Sequence, residues 1–272
     1  MNTMLKEGLM ENYNISIRNV SLTFKGESIH TLKNISVELS HGKIIAFIGE
    51  SGSGKSVLGK TIVGLQSEAH CVGEIGYCQQ NLLSLSDSEL RRYRGKDIFF
   101  MPQDPVGSLN PSMTIGEQLL EGIEFHHGVS TDVAKEQVKS ILQQLGLQDI
   151  DTLLKWYPHQ LSGGMAQRIL CAMACSLQAK WLFVDEPTKG LDALSRKETI
   201  ALFEQVKETT HCGMVMITHD MQLVRYMADY LVILKDGAII CQGTKEDLLV
   251  ANNPYVQELL YSQISVWRQK NL

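Results

Sequence analysis

The sequence predicts an α/β fold: a mostly parallel sheet, an antiparallel β layer beside it and an inserted helical subdomain. Three observations predict it. Gly49-Glu50-Ser51-Gly52-Ser53-Gly54-Lys55-Ser56 fits G-x-x-x-x-G-K-[ST] at every fixed position. Short apolar runs at 43–48, 97–101, 181–184 and 213–218 each stop at polar or turn-forming residues, as strands buried on both faces of a parallel sheet do. Between the second and third of these runs, residues 112–160 carry helical spacing. A phosphate loop between strand and helix inside such a sheet describes a P-loop NTPase core of the RecA-like kind.

In chain order, residues 13–40 alternate as three short strands: Ile15-Ser16-Ile17, Val20-Ser21-Leu22-Thr23-Phe24 and Ile35-Ser36-Val37-Glu38-Leu39. Turn formers at Lys25-Gly26-Glu27 and His41-Gly42 separate them. Phe24 reads either as a base-stacking aromatic or as core packing. The strand at 43–48 then delivers the phosphate loop. Its glycines let consecutive backbone N–H groups converge on phosphate oxygens. Lys55 would reach the β- and γ-phosphates, and the Ser56 hydroxyl would take a place on Mg²⁺. Val57, Leu58, Ile62 and Leu65 have helical spacing with Gly64 as a stop, so the helix N-terminus faces the anion.

Beyond that helix come Gly73-Glu74-Ile75-Gly76-Tyr77, a polar stretch at 84–88, and the strand at 97–101, ended by Pro102-Gln103-Asp104-Pro105. At that strand end Gln103 would hydrogen-bond water in the Mg²⁺ shell. In the helical insertion, Ala134, Val138, Ile141, Leu142 and Leu145 keep a 3–4 spacing, with a cap at 130–132 and a stop at Gly146. His126-His127 falls in its loop region, where two adjacent histidines cannot both face one metal and a solvated turn is expected.

Leu161-Ser162-Gly163-Gly164 runs into Met165, Ile169, Ala172, Met173 and Ser176 at helical spacing, which makes a second helix start able to meet an anion. The strand at 181–184 delivers Asp185-Glu186 to a carboxyl end, where open α/β sheets bind ligands. Asp185 would hold the Mg²⁺ shell and Glu186 would polarise an attacking water. His219 follows the strand at 213–218, within reach of a γ-phosphate or that water. Residues 231–240 read as a hairpin turning at Asp236-Gly237. Thr244 and Asp247 make a capping-box start, and Asn253-Pro254-Tyr255 opens a helix in the tail.

The bulk numbers set limits. At 272 residues the chain is long enough for one large α/β domain or two small ones, and a net charge of −5 argues against a general nucleic-acid binder. No apolar run approaches the ~18 residues of a membrane span. The first seven residues lack the apolar core of a signal peptide, so a cytosolic chain is expected. None of the six cysteines forms a C-x₂-C pair. Cys171 and Cys175 share one helix face as small buried groups.

Taken together, these motifs resemble the ATP-binding subunits of ABC transporters over residues 13–260. Leu161-Ser162-Gly163-Gly164 is the specific element, because ordinary P-loop kinases and GTPases lack it. The resemblance implies a core of 13–103 and 160–250, a helical subdomain at 104–159 and a helical tail at 251–272. It implies ATP and Mg²⁺ at the interface of a head-to-tail dimer, homo- or heterodimeric. Nucleotide would be bound by Phe24, by Gly49, Glu50, Ser51, Gly52, Ser53, Gly54, Lys55, Ser56 and Val57, and across the interface by Ser162, Gly163, Gly164 and Asp192. Ser56, Gln103 and Asp185 would serve the metal, with Glu186, His219 and Gln103 in catalysis. Transmembrane permease subunits, and through them an extracytoplasmic solute-binding protein, are the implied partners, and no nucleic acid. The chain would sit at the cytoplasmic face of the membrane.

A narrower resemblance is to the dipeptide and nickel importer branch, through Phe100-Met101-Pro102-Gln103-Asp104-Pro105, Ser108-Leu109-Asn110-Pro111 and Asn253-Pro254-Tyr255. Met165 in place of the usual Gln, and the lack of cysteines after Cys241, tilt toward a nickel or metal-chelate importer over a peptide one. A soluble ABC ATPase acting on nucleic acid or ribosomes would need two cassettes or a coiled-coil insertion. A non-hydrolysing partner would not need Glu186, His219 and the signature.

Overall fold

An antiparallel sheet and a mixed sheet face each other across the helix that follows the phosphate loop. The computed structural model describes residues 13–26, 30–66, 68–249, 251 and 253–261. The predicted features at residues 1–7, Glu27 and the tail beyond 261 lie outside the described residues. The strands are β1 (Ile15–Phe24), β2 (Leu32–Leu39), β3 (Ile44–Ile48), β4 (Ala69–Tyr77), β5 (Gln80–Asn81), β6 (Ile98–Met101), β7 (Trp181–Asp185), β8 (Gly213–Ile217), β9 (Tyr230–Lys235) and β10 (Ala238–Thr244). The helices are α1 (Lys55–Ile62), α2 (Asp87–Leu90), α3 (Ile115–His127), α4 (Thr131–Gln144), α5 (Ile150–Leu153), α6 (Gly163–Ser176), α7 (Ala193–Thr210), α8 (Met221–Met227), α9 (Lys245–Leu249) and α10 (Pro254–Tyr261).

The mixed sheet has the order β10-β9-β3-β8-β7-β6, and all its strands but β10 run parallel. Its three central strands, β3, β7 and β8, are buried at every residue, so they read as unbroken apolar runs. Alternation sends their side chains to the two faces of the sheet. Ile45, Phe47, Phe183, Val215 and Ile217 face Leu58 and Ile62 of α1 and the inner face of the antiparallel sheet β2-β1-β4-β5. Ile44, Leu182, Val184, Met214 and Met216 face a helical core built from α3, α4, α6 and α7. Cys171, Cys175 and Cys212 lie in that second core, where burial raises their thiols above the usual range, with Cys175 at about 12. These are packing groups. Among the described residues no helix is long and apolar enough to cross a membrane.

Three local expectations need correction. The two strands expected before Lys25 are one. Its buried set switches from Ile15 and Ile17 to Val20 and Leu22, a change of parity absorbed by a bulge at Asn19, which has φ 52°. The partner strand, β2, also begins earlier, at Leu32. His126 and His127 are the last residues of α3, not a loop; Gly128 caps that helix in the left-handed region. No cluster of three metal-capable side chains exists among the described residues. The polar stretch at 84–88 holds a capping box, with Ser86 and Glu89 closing α2 reciprocally. The hairpin of β9 and β10 turns where expected, with Asp236 and Gly237 both at positive φ, 48° and 80°, as a type I′ turn requires.

Candidate functional site

The carboxyl ends of β3, β7 and β8 meet in register, with Phe47 and Asp185 both opposite Ile217. Each strand therefore hands its next residues to one place. From β3 comes the phosphate loop. Gly49 has φ 151°, and a Cβ there would overlap the Leu234 carbonyl, so no other residue fits the exit from the strand. Lys55 is 6% exposed, and its Nζ donates to the carbonyls of Gly49 at 2.8 Å and Glu50 at 2.7 Å. Burial pulls its ammonium below the usual lysine range, against the opposing pull of Glu186 and Asp185.

From β7 come the two acids. Asp185 is 5% exposed and accepts a hydrogen bond from the Ser56 hydroxyl at 2.8 Å. Burial raises its carboxyl above the ordinary value, although the Ser56 bond works the other way. Two hard oxygen donors this close, with Gln103 on the same cleft, fit the preference of Mg²⁺ for oxygen ligands. A raised carboxyl is also a stability statement. Above its folded-state pKa, the ionised Asp185 costs folding free energy; below the ordinary 3.8 it is protonated in both states and the cost vanishes. Asp185→Asn keeps the acceptor for Ser56 and removes the charge. Thermal unfolding should then show a higher midpoint than the parent at neutral pH, with the difference closing as pH falls toward about 4.

Glu186 sits at φ 49°, a left-handed conformation that costs a non-glycine residue on the order of 1–2 kcal/mol. Its amide donates to Ile217 O at 2.7 Å, and its carboxylate lies 2.9 Å from His219 Nδ1, delivered by β8. Thr218 Oγ1 stands at 3.4 Å from the same carboxylate. Turn strain is thus spent on aiming one acid at one imidazole.

Gly49, Glu50, Ser51, Gly52, Gly54, Lys55, Ser56, Val57, Gln103, Glu186 and His219 line a single cleft of about 660 Å³. That volume is within the range of small-ligand sites. Ser53 is buried beneath it, 3.5 Å from Lys55 Nζ. Within one chain the other candidates lie elsewhere. Ser162 caps α6, accepting from Met165 N at 3.3 Å, and Gly163 and Gly164 border a second cleft that shares Gln103 and Glu186. Asp192 caps α7 through the amides of Leu194 and Ser195, both at 2.9 Å, and these bonds hold its carboxyl below the usual range. Phe24 is half-buried at the end of β1, packed on the core between the sheets, and is not among the residues that line the phosphate-loop cleft.

Sequence reasoning missed three residues on that cleft: Thr31, Lys189 and Leu259. Lys189 follows Glu186 closely enough that its place after the β7 acids was a usable signal. Nothing local to Thr31 or Leu259 announces theirs.

A family model described as ABC transporter matches residues 32–189. The metal-staphylopine import system ATP-binding protein CntD of Staphylococcus aureus is 36% identical over 236 residues, 86% of this chain and 87% of that protein. The dipeptide transport ATP-binding protein DppD of Bacillus subtilis is 37% identical over 254 residues, 91% of this chain and 76% of that one. Among solved structures, a dimeric, post-hydrolysis ATP-binding cassette bound to ADP and Pi superposes with a TM-score of 0.74 at 26% identity, covering 85% of this chain and 98% of that chain.

Proposed function

The chain belongs to the ABC transporter family of ATP-binding proteins, Mg²⁺-dependent ATPases, and on that premise we propose that it is the motor subunit of a membrane importer. The observation that carries the reading is the convergence of Lys55, the Ser56–Asp185 pair and the Glu186–His219 pair on one cleft. The loop amides and Lys55 bind the triphosphate. Ser56 and Asp185, with Gln103 beside them, would hold Mg²⁺, whose charge would offset that of the phosphates. Glu186 takes the proton of the attacking water, and His219 fixes the carboxylate that does so.

Ser162, Gly163, Gly164 and Asp192 complete the site of a second ATP-binding subunit, another copy or a close relative. Their place outside the phosphate-loop cleft of their own chain supports this, as does the dimeric state of the solved relative. Closure of such a pair on two nucleotides, and its release after hydrolysis, is a ligand-biased two-state switch. The helical subdomain at 104–159, with Gln103 at its root, passes that switch to permease subunits and so holds the chain at the cytoplasmic face of the membrane. An extracytoplasmic solute-binding protein would deliver the cargo.

The names of the relatives point to a metal chelate or a di- or oligopeptide as cargo. A strain lacking this chain tests both parts. Uptake of a labelled nickel chelate or of labelled dipeptide should fail and return with the intact chain, and the chain should co-purify with permease subunits. Unimpaired uptake of both, or a chain recovered without membrane partners, would contradict the assignment.

A further inference from the structure

A helix from the far end of the chain lies against the phosphate loop. α10 is anchored by Val256, fully buried against Ile48, Ile233 and Leu248. The Asn253 carboxamide oxygen caps it, accepting from the amides of Tyr255 at 3.0 Å and Val256 at 3.3 Å. That anchoring aims two side chains at the site. The Glu50 amide donates to the Tyr255 hydroxyl oxygen at 3.4 Å, a link across 205 residues of sequence. Leu259, one helical turn on, lines the same cleft as Lys55 and Ser56. The Lys235 ammonium sits 4.4 Å above the Tyr255 ring, in the attractive range for a cation over an aromatic face. Lys235 follows Leu234, whose carbonyl abuts Gly49. Tyr255 therefore ties the outer end of the phosphate loop to the β9–β10 hairpin.

We propose that α10 is a working wall of the nucleotide site. Tyr255 is a positioning residue that keeps the phosphate loop in its binding shape, and Leu259 offers bound nucleotide an apolar contact. The inference rests on the nucleotide-site reading above. Its physical basis is preorganisation: a loop already held in shape loses less conformational freedom when it closes on phosphate. By linkage, bound nucleotide in turn favours the docked position of α10.

Titration of the full chain with a fluorescent ATP analogue in Mg²⁺ tests this, alongside thermal unfolding without nucleotide. Tyr255→Phe keeps the ring beneath Lys235 and removes only the hydroxyl. It should weaken nucleotide affinity about two- to tenfold, the usual worth of one hydrogen bond. Leu259→Ser should weaken it by a similar factor, and the pair together by more than either. In steady state the change should fall on KM, with kcat within about twofold of the parent, as expected for lost uniform binding. The nucleotide-free unfolding midpoint of Tyr255→Phe should match the parent. A lowered midpoint with unchanged affinity would mark the helix as structural only and overturn the proposal, as would parental affinity in both variants. Failure of the parent itself to bind ATP would instead sink the nucleotide-site reading.

Discussion

Glu186→Gln should lower ATP turnover by about 10²- to 10⁴-fold, the usual contribution of a general base, while leaving ATP affinity within a few-fold of the parent. Gln has the same shape and fits the same turn, so Glu186's positive φ and its amide bond to Ile217 O persist. What it lacks is a carboxylate able to accept a proton, 2.9 Å from His219 Nδ1. Since release depends on hydrolysis, the variant should also accumulate as an ATP-dependent dimer. Phosphate release and analytical ultracentrifugation measure the two effects together. Hydrolysis at the parental rate would remove Glu186 from its role.

Lys55→Ala should weaken binding of ATP by about two orders of magnitude, with hydrolysis lost at ordinary nucleotide concentrations. A charged donor contributes roughly 1.5–3 kcal/mol per hydrogen bond, and the Lys55 ammonium can direct more than one at phosphate. Its present bonds, to the Gly49 and Glu50 carbonyls, show the head group inside the turn of the loop. Lys55→Arg should not rescue binding, because a planar guanidinium does not fit a pocket where the ammonium is 6% exposed. Nucleotide titration monitored by fluorescence gives both affinities. Folding should change little, since loss of a buried charge offsets the loss of its bonds.

How much of this was legible in the residues follows from how local each signal is. β3, β7 and β8 are buried on both faces, so continuous apolar runs disclosed them, and the phosphate loop disclosed itself by spacing. The Glu186–His219 contact joins two strand ends, and the rule that ligands gather at carboxyl ends anticipated their meeting. Alternation divides β1 in two because a bulge changes which alternate residues face inward, which no fixed period detects. His126 and His127 read as a loop from their own residue types, although Thr114 and Glu117 open α3 with a capping box legible in the sequence. The packing of α10 on the phosphate loop was beyond sequence reasoning. Asn253-Pro254 announces a helix, but no local pattern says that Tyr255 returns to Glu50.

The central claim is that nucleotide on the loop of one subunit is closed over by the serine-glycine turn of another. The most direct test is an experimental structure of the Glu186→Gln protein with MgATP, alone or with its neighbouring ATP-binding subunit. The account predicts γ-phosphate bound at Lys55 and, from the opposite subunit, Ser162 and the amides at 163–164 within hydrogen-bond distance of it. Closed nucleotide-bound subunits in which residues 162–164 face solvent or approach no γ-phosphate would contradict it.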